Sequence, residues 1–230
     1  MKKILVLCAM LFAFVFPAAV LAQFEEGHEY RVLYSQPPVD KNAPLEVVEF
    51  FWYGCPHCYH FEPHIKGWEK AKPEDVRFVK MPATFLTNEE LKALDKHGMA
   101  GIPERHRARV LHAYSFYALD LMGEAERMND VIFEAMHKKG NRLANQEAME
   151  KLLEENGVNV ETYRKAMKSF VVHSKTKRAS NLFNTYNLRG VPSIAVNGRF
   201  TSGDVRSNQD LVKVIDHMLT LVKEEQAGGK

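Results

Sequence analysis

The sequence predicts an α/β fold that is interrupted by an all-helical segment. Two apolar runs, residues 45–52 and 76–81, are rich in Val, Phe and Met and are typical of buried strands. Between about Thr87 and Ser169 the pattern changes to amphipathic segments in which Leu, Met, Ala and Phe predominate. Such segments favour helices, and strand-like runs return after them. The pattern therefore predicts an α/β domain with an inserted helical domain.

The first predicted strand leads directly into a cysteine motif. Two residues after its end come Cys55, Pro56, His57 and Cys58, and apolar residues then recur at three- and four-residue spacing. This spacing predicts a helix that begins at the first cysteine. Pro56 suits the first helical turn, where its missing N–H group would have had no partner.

The rest of the chain is divided by glycines and turn residues. Helices are predicted at residues 88–97, 104–121, 124–137, 146–156, 161–169, 174–187 and 208–225. Asn197-Gly198 lies between short strand-like runs at 193–196 and 199–201, which is a strong hairpin signal. We assign residues 23–86 and 171–230 to the α/β domain and residues 87–170 to the inserted helical domain.

The N-terminus has the features of a secretory signal peptide. Two lysines precede an apolar run at residues 4–16, and small residues follow. The run is shorter than the roughly 20 apolar residues that cross a membrane, and Pro17 breaks it. We expect residues 1–22 to be removed by cleavage after Ala22, so that the exported chain begins at Gln23.

Charge and cysteine content narrow the possible functions. The formal net charge of +2 equals the contribution of Lys2 and Lys3, so the mature chain is close to neutral and nucleic-acid binding is disfavoured. Of the 3 cysteines, Cys8 lies in the predicted signal peptide. Cys55 and Cys58 close almost no loop, so a bridge between them would stabilise the fold little. The spacing of the two cysteines therefore indicates a role in a chemical reaction.

The position of Cys55 predicts a reactive thiol. A thiolate attacks a disulfide far better than a thiol does, and a helix N-terminus lowers a cysteine pKa from its free value of ~8.5. The helix dipole accounts for about one pKa unit. Hydrogen bonds from first-turn N–H groups, with a charged or donating His57, have to supply the rest. Because a stabilised thiolate favours the reduced form, the pair should oxidise other thiols, with Cys58 as the resolving thiol.

Two other roles for the pair stay open on spacing alone, a zinc half-site and an exposed structural disulfide. Zinc would need two further ligands, and the mature chain has no other cysteine. His60 or His64 could serve only if the same helix rearranged, and we expect both to face solvent. Haem attachment is excluded because Tyr59, not histidine, follows the second cysteine. We predict neither a metal nor an organic cofactor.

Residues 49–59 (EFFWYGCPHCY) resemble the DsbA family of periplasmic disulfide oxidoreductases, as do Phe170-Val-Val, Arg189-Gly-Val-Pro-Ser and Val196-Asn-Gly. The similarity extends in order over essentially the whole mature chain. It implies a thioredoxin-like fold with an inserted all-helical domain.

The resemblance also implies roles for single residues. Cys55 matches the family's nucleophile, Cys58 its buried partner, and His57 the histidine that tunes the couple. Val191 and Pro192 match a cis-proline loop that faces the disulfide and offers backbone hydrogen bonds to an incoming peptide. These assignments rest on the resemblance.

Glu49 and the aromatic residues beside it each allow two interpretations. Glu49 matches a buried acidic residue of the family that could relay a proton to or from Cys58. The alternative is an edge-facing glutamate or one that is paired with Lys80 on the neighbouring strand. Phe51, Trp52 and Tyr53 are either ordinary core or part of an apolar surface that grips unfolded chains; these three stay open.

The expected function is oxidation of exported proteins that contain cysteines, through a mixed disulfide at Cys55. The resemblance implies a periplasmic location and reoxidation by a quinone-reducing inner-membrane partner of the DsbB type, and we expect a monomer. The competing hypotheses are a disulfide isomerase or reductase, and a redox-inactive chaperone or binding module on the same fold.

Overall fold

The computed structural model describes residues 24–34 and 44–228. The predicted signal peptide and the cleavage site after Ala22 lie outside these two ranges. Within them, none of the helices has both the length and the apolar character that a membrane span requires.

A mixed sheet of five strands forms the centre of the described structure, in the order β1-β5-β4-β2-β3. The strands are β1 (Tyr30–Val32), β2 (Leu45–Phe51), β3 (Val76–Pro82), β4 (Ser193–Val196) and β5 (Phe200–Ser202). Strand β2 pairs in parallel with β3 and antiparallel with β4. The bounds of β2 and β3 agree with the predicted runs to within one residue. Strand β1 was not predicted, because three residues are too few to show a periodic pattern.

Helices surround this sheet and form the block between β3 and β4. They are α1 (Pro56–Ala71), α2 (Asn88–His97), α3 (Glu104–Leu121), α4 (Ala125–His137), α5 (Gln146–Glu155), α6 (Val160–Met167), α7 (Phe170–Thr185) and α8 (Asn208–Gly228), with a 3-10 turn at Gly98–Gly101. Side chains at the N-caps explain several of the starts. Thr87 forms a capping box with Glu90 at α2, and Asn145 and Asn159 cap α5 and α6.

Helix α7 begins four residues earlier than the sequence analysis predicted. The predicted start was residue 174, and the preceding helix was predicted to run to Ser169. In the structure Ser169 is instead the N-cap of α7, because its side chain accepts a hydrogen bond from the backbone N–H of Val172. The boundary proposed at residues 170 and 171 thus falls in the first turn of a helix that contacts both α3 and β3. The division into two domains stays a prediction.

The predicted Asn-Gly turn joins β4 to β5. Asn197 and Gly198 have φ angles of 51° and 59°, and the N–H of Arg199 donates to the carbonyl of Val196 at 2.9 Å. Positive φ at both central residues is the geometry of a type I′ hairpin turn. Strand β5 is shifted by one residue from the predicted run at 199–201.

The two faces of the sheet have separate hydrophobic cores. Val47 packs on one face with apolar residues of α1 and α8. Val48 and Phe50 pack on the other face with residues of α3, α4 and α7. This alternation is the period-two pattern of a strand that is buried on both sides. The end of β2, where the cysteine motif begins, is thereby held between the helical block and α1.

Candidate active site

Cys55 is the N-cap residue of α1, and Pro56 occupies the first helical position. The backbone of Cys55 is extended, with φ −92° and ψ 116°. Its carbonyl accepts the hydrogen bond of the Tyr59 N–H group at 3.1 Å. The prediction that a helix begins at the first cysteine is confirmed, and the sulfur therefore lies where first-turn N–H groups point.

The surroundings of Cys55 lower the pKa of its thiol to about 6. The largest cause is a hydrogen bond from the side chain of Cys58, and the backbone N–H groups of Cys58 and His57 contribute further. Partial burial opposes these effects. The charge of His57, whose side chain is exposed, is a smaller contribution. The backbone donors and His57 were expected from the sequence, whereas the Cys58 thiol was not expected as a donor.

Cys58 has the opposite character. Its side chain is fully buried, and burial raises the pKa of its thiol well above the usual range. The hydrogen bond and charge of Cys55, and then the charge of Glu49, raise it further. Both cysteines are free thiols in this structure. A proton shared by the pair is therefore held by Cys58, and the negative charge lies on Cys55.

The loop before β4 faces the first cysteine. The peptide bond between Val191 and Pro192 is cis, as the family resemblance implied. The sulfur of Cys55 lies 3.3 Å from the carbonyl oxygen of Val191, to which the protonated thiol donates a hydrogen bond. The register of β2 against β4, in which Phe50 is opposite Ser193, brings this loop to the end of β2.

Glu49 combines features of both interpretations that the sequence left open. Its side chain is completely buried, and its carboxylate lies 3.4 Å from the ammonium group of Lys80 on β3. Burial raises the pKa of Glu49 to about 7, although the charge of Lys80 acts in the opposite direction. Glu49 is thus both buried and paired, and it can hold or release a proton near neutral pH.

Two further residues of this polar cluster escaped the sequence analysis. Glu62 on α1 forms an ion pair with Lys80 and accepts a hydrogen bond of 2.8 Å from Asn129 on α4. Glu62 is four residues after Cys58 and belongs to the buried stripe of α1. A carboxylate in an apolar stripe is the signal that could have identified it.

The aromatic residues before the motif do not share one environment. Phe51 and Tyr53 are fully buried, with ring centroids 5.1 Å apart, and belong to the core. Trp52 is only partly buried. On the motif helix His60 is exposed and His64 is half-buried. Among the residues that the structure describes, no group of three or more His, Cys, Asp or Glu side chains could hold a metal ion.

Comparison with known proteins places the chain in one family. Residues 46–214 match the family model described as DSBA-like thioredoxin domain. The thiol:disulfide interchange protein DsbA of Pseudomonas aeruginosa is 36% identical over 230 residues, which is 98% of each chain. The protein of the same name from Azotobacter vinelandii is 35% identical over 207 residues, with 89% of this chain and 87% of the relative covered.

Solved structures show the same fold. The crystal structure of Pseudomonas aeruginosa DsbA has a TM-score of 0.75 and 32% identity, and the match covers 91% of this chain and 99% of that one. The oxidoreductase DsbA from Xylella fastidiosa has a TM-score of 0.70 and 25% identity, over 87% and 97% of the two chains. The sequence and the structure agree that this chain belongs to the DsbA family of thiol:disulfide interchange proteins and has the DsbA-like thioredoxin fold.

Proposed function

We propose that this protein is a dithiol oxidase that donates a Cys55–Cys58 disulfide to exported proteins. The observation that carries the proposal is the difference in acidity between the two thiols, since the pKa of Cys55 is lowered to about 6 while that of Cys58 is raised. Stabilisation of the Cys55 thiolate stabilises only the reduced form of the pair. The oxidised form is correspondingly reactive toward substrate thiols.

The reaction begins when a substrate thiolate attacks the sulfur of Cys55 in the disulfide. The bond between the two cysteines breaks, a mixed disulfide forms at Cys55, and the sulfur of Cys58 leaves with the electron pair. A second substrate thiolate then attacks the substrate sulfur of the mixed disulfide and releases the Cys55 thiolate. The substrate loses two electrons, and this protein gains them as its reduced pair.

Glu49 acts as the proton donor in the first step. The raised pKa of Cys58 means that its sulfur leaves as a strong base and needs a proton. The carboxyl of Glu49, with a pKa of about 7, supplies that proton and takes it back when the pair is reoxidised. Lys80 allows Glu49 to ionise, because its ammonium group stabilises the negative charge of the buried carboxylate.

The loop at Val191 and Pro192 forms part of the substrate-binding surface. The carbonyl of Val191 is within 3.3 Å of the attacked sulfur, so an extended peptide held at this loop presents its cysteine to Cys55. Backbone hydrogen bonds at this position would be independent of substrate sequence. This suits an enzyme that acts on several different proteins.

The proposed setting is the periplasm. It follows from the predicted signal peptide, residues 1–22 with cleavage after Ala22, and from the family. The Cys55–Cys58 disulfide itself accepts the two electrons from the substrate, so that neither a metal nor an organic cofactor takes part. Turnover then requires an electron acceptor, for which we propose a quinone-reducing inner-membrane partner of the DsbB type. The working form is a monomer.

Substrate trapping tests the proposal. Cys58→Ala leaves Cys55 without its resolving thiol, so exported proteins that contain cysteines should accumulate as mixed disulfides with this variant. The matched control is Cys55→Ala, which retains the other thiol in its buried position and should trap nothing. An empty trap with the first variant, in cells that contain exported substrates, would contradict the proposal.

A glutathione equilibrium separates the oxidase from an isomerase or reductase. The measured constant should place the pair well on the oxidising side of thioredoxin, whose potential is about −270 mV. A value at or below that potential would favour a reductase. Full function of Cys55→Ser in a strain without its own thiol oxidant would instead favour a redox-inactive binding protein.

A further inference from the structure

Residues 52–54, here called the approach loop, connect the end of β2 to the nucleophile. The N–H group of Cys55 donates a hydrogen bond of 2.9 Å to the carbonyl of Trp52, which closes the loop as a tight turn. Cys55 is therefore positioned directly by the backbone of Trp52. The contacts that hold Trp52 therefore also determine where the sulfur of Cys55 lies relative to the first turn of α1.

A histidine of the helical block holds the side chain of Trp52. The indole Nε1–H of Trp52 donates to Nδ1 of His112 on α3 at 3.0 Å. The other ring nitrogen of His112, Nε2, lies 3.0 Å from the carbonyl oxygen of Leu143 in the segment between α4 and α5. His112 is 1% exposed, and its hydrogen bond to Leu143 is fully buried, whereas the bond to Trp52 is partly buried.

These contacts determine the protonation state of His112. An indole N–H group can only donate, so Nδ1 of the histidine has to be the acceptor. The proton is then on Nε2, which donates to the carbonyl of Leu143. Burial also favours the neutral ring, since it lowers the pKa of His112 to about 4. A single neutral tautomer thus connects the approach loop to two parts of the helical block.

The indole in turn packs over the approach loop itself. A Cβ atom placed on Gly54 would lie 2.3 Å from the indole carbon Cζ2 of Trp52. The guanidinium of Arg109, one turn before His112 on α3, lies 5.1 Å from the Trp52 ring centre. The position of the indole and the course of the backbone before Cys55 therefore depend on each other.

A second histidine holds the next residue of the loop. Nε2 of His137 at the end of α4 lies 2.7 Å from the carbonyl oxygen of Tyr53, to which it donates. The imidazole also stacks on Tyr59 of α1, with ring centroids 5.0 Å apart and planes inclined by 12°. Two consecutive residues of the approach loop are thus held by histidines from two different helices of the block.

We propose that His112 is a positioning residue for the Cys55 thiolate and acts through its hydrogen bond to Trp52, with His137 holding the adjacent carbonyl. It keeps the sulfur aligned with the first-turn N–H groups and with the Cys58 thiol, which stabilise the charge. This inference rests on the proposed role of Cys55 as the nucleophile. Under this proposal the helical block influences the acidity of Cys55, although the cysteine motif lies outside the block.

The test uses variants that separate the two hydrogen bonds of His112. His112→Gln places an amide nitrogen near the Nε2 position, so it keeps the donor to Leu143 and loses the acceptor for Trp52. His112→Asn places an amide oxygen near the Nδ1 position and keeps that acceptor. Trp52→Phe removes the same hydrogen bond from the other partner. His173→Gln is the control, since the hydrogen bonds of His173 go to Tyr114 on α3 and Asp95 on α2 and not to the approach loop.

The thiolate absorbance of Cys55 and the equilibrium constant with glutathione are measured for each folded variant. His112→Gln and Trp52→Phe should make Cys55 less acidic by roughly tenfold, as expected when one hydrogen bond to a charged group is weakened. Their glutathione constants should shift toward weaker oxidation. His112→Asn should stay close to the wild type, and His173→Gln should lose thermal stability without a change at Cys55.

The proposal is overturned if Trp52→Phe keeps the wild-type acidity and glutathione constant within twofold, or if His112→Asn changes them as much as His112→Gln does. Should His112→Gln fail to fold, Trp52→Phe decides alone, because Trp52 is only partly buried. A wild-type Cys55 that titrates like an ordinary cysteine would contradict the proposed function itself. A low wild-type pKa that the variants share would remove only the positioning role.

Discussion

The ammonium group of Lys80 lies 3.4 Å from the carboxylate of Glu49, and the two residues are directly opposite each other in the parallel pair of β2 and β3. Lys80 also pairs with Glu62 on α1, so one cation connects the central sheet to the helix that carries both cysteines. The same two strands carry a second pair, Glu46 with Arg77, three residues earlier and more exposed. The buried Glu49 raises the pKa of Cys58 through its charge, whereas Glu46 belongs to a more exposed pair.

This arrangement predicts different effects when Glu49 and Glu46 are each replaced by glutamine. Glu49→Gln cannot release a proton, so reduction of the disulfide by a model dithiol should slow by a factor of roughly 100 or more at neutral pH. The rate should also lose its inflection near pH 7, where the Glu49 carboxyl titrates. Stopped-flow tryptophan fluorescence across pH 5 to 9 measures both, with ~tenfold excess of dithiol to keep the kinetics simple.

Glu46→Gln is the matched control, on the same strand and with its own cation partner. Its rate and pH profile should equal those of the wild type. Equal profiles for all three proteins would show that Glu49 is a structural ion-pair partner only.

A second prediction concerns the donors to the Cys55 thiolate. Because the Cys58 side chain is the largest cause of the lowered pKa, Cys58→Ala should raise the pKa of Cys55 more than His57→Ser does. Cys58→Ser retains a hydroxyl donor and should give an intermediate value. Thiolate absorbance near 240 nm against pH gives all the midpoints, with the wild type near 6. A larger shift for His57→Ser would mean that the imidazole charge is the main stabilising group.

A third prediction follows from the buried neutral His112. Its pKa is lowered to about 4 in the folded protein from an ordinary value of 6.5, so between these pH values the unfolded chain binds the extra proton. The free energy of unfolding should therefore fall as the pH drops through this window, by at most about 3 kcal/mol. His112→Phe removes this dependence.

Urea unfolding at several pH values measures the difference between the two proteins. The two proteins have to be compared because Glu49 changes the free energy of unfolding with pH in the opposite direction to His112. Its pKa is raised from 4.5 to about 7, so its contribution to stability is present at low pH and is lost as the pH rises through that range. A wild type and His112→Phe with parallel pH profiles would contradict the prediction.

A fourth prediction compares Gly54, directly before the cysteine motif, with Gly67 in the interior of α1. Gly54→Ala forces the Trp52 indole from its place, because the new Cβ would lie 2.3 Å from it. We expect a loss of roughly 1 to 3 kcal/mol, as for other overpacked sites, and a change in tryptophan fluorescence. Adding Trp52→Ala should recover part of the loss, since the clash is then gone.

Gly67→Ala within α1 is the control substitution. Nothing lies within 4 Å of a Cβ at that position. Alanine in a helix interior should increase the free energy of unfolding by roughly 0.5 to 1 kcal/mol. If Gly54→Ala increased the free energy of unfolding as Gly67→Ala does, the indole would move aside without cost.

Most helices and strands could be predicted from the sequence, because the residues that start and end them are close together in the chain. Helices α2 and α3 were predicted with their observed ends, since caps and glycines mark them in the chain itself. The start of α7 was wrong by four residues, because Ser169 can end one helix or cap the next, and only the folded backbone chooses. The turn at Asn197 and Gly198 was predicted correctly for a local reason, their tolerance of positive φ.

The residues that carry the chemistry are visible in the amino-acid sequence: two cysteines at the start of a helix, an acidic residue on the preceding strand and a proline loop further on. How these parts act together depends on the tertiary structure. The contact of Cys55 with Val191 spans 136 residues of chain, and that of Trp52 with His112 spans 60. Helix starts depend on interactions a few residues apart, whereas such contacts depend on strand register and helix packing, which no local pattern encodes.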